Sequence, residues 1–150
     1  MPLIGFASLQ IALVISLYGV WAGYWGARHN RFGLIVSARR AVYLVGGLVT
    51  LAMALLLFFL VTQDFSVEYV ARYTSRDLPR VFLLTALWAG NAGSLLFWLW
   101  LLTMFAVLVT YQNHRRHPDL MPYVQAVMLL VAAFFASVLV FLANPFVTLN

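Results

Sequence analysis

Four stretches of this chain are apolar, free of charge and about twenty residues or more in length, at 3–26, 41–62, 92–111 and 121–143. A helix rising 1.5 Å per residue needs about 20 such residues to cross the hydrocarbon of a bilayer. One Asp or Arg at the centre of a span costs roughly 2.5–3.5 kcal/mol on insertion scales, and none of the four contains one. The first run carries Gln10 as its one strongly polar residue. The third ends near Tyr111, and counting back about 20 residues places its start near Ala92. The expected fold is therefore an all-α integral membrane module of four transmembrane helices. The first run is too long for a signal peptide's apolar region and lacks a basic stretch before it.

Composition agrees with this reading. Hydrophobic residues make up 65% of the 150 and charged residues 9%, against about 25% charged in a soluble domain. A water-soluble fold could not cover itself with so few charges. Cysteine is absent, which excludes disulfide and thiolate chemistry within the chain. All nine basic residues are arginine and the net charge is +5. Arginine alone suits phosphate recognition, and it equally serves as a topology signal. No basic run exceeds Arg115-Arg116, so nucleic-acid binding is not expected.

Arginine counts orient the chain. Arg28, Arg31, Arg39 and Arg40 fall between the first two runs, and Arg115 and Arg116 between the last two. The opposite side holds three arginines, offset by Asp64, Glu68 and Asp77. The positive-inside rule then puts both termini and the 63–80 loop outside the cytoplasm. Tyr24, Trp25, Tyr43, Tyr111 and Tyr123 fall near cytoplasmic ends, as an aromatic belt would. Gly19 and Gly23 form a G-x-x-x-G with Ser16 and Gly26 on a similar face, and Ala132/Ala136 and Ala133/Ser137 repeat the spacing. Small residues let helix backbones approach closely in lipid. Homodimerisation, packing within the bundle and packing against further helices of a larger assembly all fit.

Between the second and third runs the pattern changes. Phe65, Val67, Tyr69, Ala71 and Tyr73 nearly alternate with polar residues, which favours an extended segment, although Phe65/Tyr69/Tyr73 also have helical spacing. Residues 81–88 read as a separate interfacial segment. Gly90-Asn91-Ala92-Gly93-Ser94 then marks the outer end of the third span, with Asn91 as its cap. The free N–H groups of such an end suit an anionic group such as a haem propionate or a lipid phosphate. An ordinary helix start explains the same residues. The histidines, His29, His114 and His117, all lie between runs, so no span supplies the buried ligands of a transmembrane cytochrome b. His114-x-x-His117 has a metal-compatible spacing, with Asp119 the only carboxylate nearby. No catalytic constellation is present.

Asp64-Phe65-Ser66-Val67, Tyr69-Val70-Ala71, Leu78-Pro79, Trp88-x-Gly90-x-x-Gly93-Ser94-Leu95-Leu96-x-Trp98 and Asn144-Pro145-Phe146 together resemble the N-terminal part of the CcmF/NrfE family of cytochrome c-type biogenesis haem lyases. The similarity runs in order through essentially the whole chain. It implies a multi-span protein of the bacterial inner membrane that handles haem. Such a protein receives haem from the chaperone CcmE, works with a CcmH-type partner, and supports thioether attachment to apocytochrome c on the outer face. Two positions depart from the family pattern: Ala92 stands where Glu is usual, and Leu83 follows Phe82 where Tyr-Lys is usual. The family's tryptophan-rich haem-binding segment and haem ligands lie downstream of the matching region, so no catalytic, haem-ligating or metal-ligating residue is expected here. The resemblance implies that the chain is one part of a longer protein or one product of a split gene, working with the remainder. The rival expectations are a transporter or channel subunit with a broken third helix, and a purely structural small membrane subunit.

Overall fold

A computed structural model describes residues 2–62, 91–113, 115–116, 119–142 and 145–146. Four helices account for most of them: α1 (Pro2–His29), α2 (Phe32–Thr62), α3 (Asn91–Asn113) and α4 (Met121–Phe141). There is no strand among the described residues. All four are long and apolar enough to cross a membrane. At 1.5 Å per residue α2 is about 46 Å long and α4 about 32 Å, so α1 and α2 reach beyond a hydrocarbon layer of about 30 Å while α3 and α4 nearly match it.

The connection between α1 and α2 is far shorter than the charge pattern suggests. Arginines 39 and 40 lie on α2, which begins nine residues before its uncharged run, and only Asn30 and Arg31 separate the two helices. Asn30 takes the left-handed conformation, with φ 54°. The Arg31 N–H donates to Gly26 O at 2.9 Å, the six-to-one bond of a Schellman turn with asparagine at C′. Arg31 then opens α2, its carbonyl accepting from the N–H groups of Leu34 and Ile35. Gly26 makes this turn possible, since a Cβ there would lie 2.8 Å from Leu34 Cβ and 3.1 Å from the Ile35 nitrogen. His29, expected in a loop, is the last residue of α1.

The helices pack antiparallel in sequence, with α1 against α2 and α4, and α3 against α2 and α4. Small residues set the approach of α1. A Cβ on Gly23 would sit 2.8 Å from Pro122 O and 3.4 Å from Ala126 Cβ, and one on Gly19 would strike Leu129 Cδ1 and lie 3.0 Å from Ala41 Cβ. The G-x-x-x-G face is therefore used inside the bundle, against α4 and α2. Ala132, Ala133 and Ala136 are likewise buried. The core is mainly aliphatic, with Leu9, Leu56, Leu96, Leu99, Leu129 and Leu139 fully covered beside Phe59. Its serines are satisfied within their own helix: Ser8 donates to Ile4 O at 2.8 Å, and Ser16 to Ala12 O at 2.7 Å. Pro122 sits in the first turn of α4, where its missing N–H costs no helix bond.

Candidate functional site

Antiparallel packing brings the start of α1, the end of α2, the start of α3 and the end of α4 to one end of the bundle. This is the end that carries the described family-motif residues. Of these, Asp64, Phe65, Ser66, Tyr69, Pro79, Trp88, Gly90 and Asn144 lie outside the described residues, as do the extended and interfacial segments expected between α2 and α3. Gly93, Ser94, Trp98, Pro145 and Phe146 can be placed.

Phe146 is the best defined. Only 3% of its surface is exposed. Its ring meets Phe59 of α2 edge-on, with centroids 6.3 Å apart, and covers Gly5 of α1, whose notional Cβ would lie 2.6 Å from Phe146 Cε1 and Cζ. The residue thus clasps three helices: it follows α4, fills the gap above α1 and rests on α2. Pro145 beside it is buried too. Gly5 and Phe59 carry no motif signal in an apolar run, which is why sequence reasoning missed them as partners of Phe146.

The start of α3 has a different character. The helix begins at Asn91, so that residue is the first helical position, one beyond the cap expected from sequence, within the latitude of helix boundaries. Gly93 is buried and Ser94 half-buried. Trp98 is 58% exposed, on the outside of the bundle. The inward aromatic is instead Trp100, whose indole N–H donates to the Thr50 hydroxyl of α2 at 3.1 Å. Thr50, Met53, Ala54, Leu57, Phe97 and Trp100 line an apolar groove of about 210 Å³ between α2 and α3. Phe97 and Trp100 lean together at 6.3 Å.

These residues do not fit a haem-ligating site. The groove offers no nitrogen ligand. The one described histidine, His29, lies at the far end of α1, its ring 4.2 Å from that of Trp25. Buried polar residues among those described are Ser8, Ser16, Thr103, Thr110 and Gln125, none ionisable. What the described residues of this end can do chemically is hold backbone and aromatic surface in fixed positions.

No protein-family model matches the chain. Individual relatives do. It is 32% identical over 139 residues to the cytochrome c-type biogenesis protein CcmF of Escherichia coli (strain K12), covering 93% of this chain and 21% of that protein. It is 29% identical to CcmF of Haemophilus influenzae over 95% of its length, and 28% identical to the cytochrome c-type biogenesis protein NrfE of the same organism over 97%. Among solved structures, a cytochrome c haem lyase CcmF aligns over 99% of this chain and 25% of its own, with a TM-score of 0.90 and 30% identity. The chain spans about a fifth of the length of the curated relatives it matches.

Proposed function

We propose, on the premise that this membrane protein belongs to the CcmF/NrfE family of cytochrome c-type biogenesis proteins, that it is one transmembrane module of a haem lyase assembly and serves it as scaffold. The observation that carries the reading is the Phe146–Gly5–Phe59 clasp. It fixes, at one end of the bundle, the helix ends from which the 64–98 segment departs and to which it returns. A matching architecture over nearly the whole chain in a haem lyase supports it.

In this reading the module sits in the bacterial inner membrane with the clasped end facing the periplasm. Arg28, Arg31, Arg39, Arg40, Arg115 and Arg116 gather toward the other end, which favours the cytoplasmic side. The module packs against the remainder of the haem lyase, which supplies the haem ligands. Its outer segment meets haem chaperone CcmE, a CcmH-type partner or apocytochrome c. A solute path is disfavoured by the apolar groove and by the lack of buried ionisable groups among the described residues.

The test is reconstitution in halves. The chain is co-expressed with the remaining CcmF-type sequence in a strain lacking its own haem lyase. Covalent cytochrome c and a Soret band in the purified complex are expected only when both parts are present. Cytochrome c maturation by the remainder alone would sink the scaffold role. Solute flux through liposomes holding the chain alone would favour the transporter reading.

A further inference from the structure

The arginine-bearing half of α1 carries an aromatic ladder that the other described residues leave largely uncovered. Tyr18, Trp21, Trp25 and His29 follow one another along one face. Tyr18 and Trp21 have ring centroids 6.0 Å apart, Trp21 and Trp25 are stacked at 6.4 Å with planes 17° apart, and Trp25 and His29 are at 4.2 Å. Trp21 is 51% exposed and Trp25 42%. At the top of the ladder, Arg28 is held in place. Its Nη1 donates to the Tyr24 hydroxyl at 2.7 Å, and its guanidinium carbon lies 5.9 Å from the centre of that ring.

We propose that this face is a binding site for one anionic phospholipid, with Arg28 on the phosphate and the Trp21–Trp25 wall along an acyl chain. Three observations favour it. From Tyr18 to His29 the helix rises about 16 Å, close to half of a hydrocarbon layer about 30 Å thick. An interfacial belt occupies only headgroup level, whereas this ladder is about as long as a leaflet is deep. Second, the small residues of α1 are turned elsewhere. Close helix contacts in lipid use small residues, and those of α1, Gly19, Gly23 and Gly26, already face α2 and α4. Third, the charge is complementary. Arg28 forms no ion pair among the described residues, and it shares this end with five further arginines against one described carboxylate, Asp119. A guanidinium with one of its five N–H donors engaged keeps four for phosphate oxygens.

The protein is purified in detergent, incubated with equimolar phosphatidylglycerol and phosphatidylcholine, and its bound lipid counted by native mass spectrometry. Wild-type protein is expected to retain phosphatidylglycerol in roughly fivefold preference, the scale of one arginine near an anionic surface. Arg28→Gln removes that preference and Arg28→Lys keeps it. Trp21→Leu with Trp25→Leu lowers retention of both lipids, and Arg116→Gln changes neither. Helix content by circular dichroism checks that each variant is folded. An unchanged ratio in Arg28→Gln, or an equal fall in Arg28→Gln and Arg116→Gln, overturns the site.

Discussion

The ring of Phe146 occupies the space that a side chain on Gly5 would need: a Cβ there would lie 2.6 Å from two of its atoms. The contact joins the beginning of α1 to the segment after α4. Gly5→Val must displace the ring and is expected to destabilise by about 1–3 kcal/mol, the range for overpacking. Phe146→Ala leaves a void between three helices and should cost about 3–5 kcal/mol. The double variant should cost clearly less than the sum, because both changes act on one contact. Unfolding in mixed detergent micelles, followed by circular dichroism, measures all three; additivity would refute the clasp.

Gly23 and Gly47 make a matched pair of probes. A Cβ on Gly23 meets the carbonyl oxygen of Pro122 at 2.8 Å, and backbone cannot step aside as a side chain can. Gly47 has nothing within 4 Å. Gly23→Ala is therefore expected to separate α1 from α4 and lower the melting temperature. Gly47→Ala should be neutral or stabilising by about 0.5–1 kcal/mol, since alanine is the better helix former. A melt in which both substitutions behave alike would contradict the packing.

Asn30 closes the α1–α2 turn with a positive φ of 54°. Glycine adopts that conformation without strain, whereas alanine pays about 1–2 kcal/mol. Asn30→Gly is expected to hold wild-type stability and Asn30→Ala to lose about 1 kcal/mol. Equal melting curves for the two variants would argue against the left-handed turn.

Gln125 is 1% exposed. Its Nε2 donates to the Thr110 hydroxyl at a long 3.4 Å, and its Oε1 has no partner among the described residues. An unsatisfied buried acceptor costs about 1–3 kcal/mol. Gln125→Met should therefore be close to neutral in a thermal unfolding assay, or stabilising, despite removing an interhelical hydrogen bond. Thr110→Val, which strands the amide, should be the more damaging. The reverse order would show that the polar pair holds α3 to α4 more strongly than its geometry indicates.

Membrane class, the four long apolar helices and the likeness to CcmF and NrfE were legible because each rests on local signals: uninterrupted apolar length, and the Asp64–Trp98 and Asn144–Phe146 motifs. Less legible were features in which chemistry and geometry part company. Arg39 and Arg40 read as loop because they are charged, yet a helix that overshoots the hydrocarbon carries charge on its emergent turns. Trp98 and Trp100 look alike in a motif, but their two-residue spacing puts them on different faces, so only Trp100 reaches Thr50. Gly5 looks like any glycine in an apolar run until Phe146, distant in sequence, lands on it. The small residues of α1 signalled close packing and left the partner open, since homodimer and bundle use the same stripe.

The two-residue connection between α1 and α2 bears on how the protein is made. With Asn30 and Arg31 as the only residues between a 28-residue and a 31-residue helix, no slack exists for α1 to settle in the bilayer while α2 is still outside it. Gly26 presses the two together from the turn onward. The pair must therefore partition from the translocation channel into lipid as a single hairpin. A substitution that opens the turn would then show first as failed insertion during synthesis, ahead of any loss of activity in protein that had already reached the membrane.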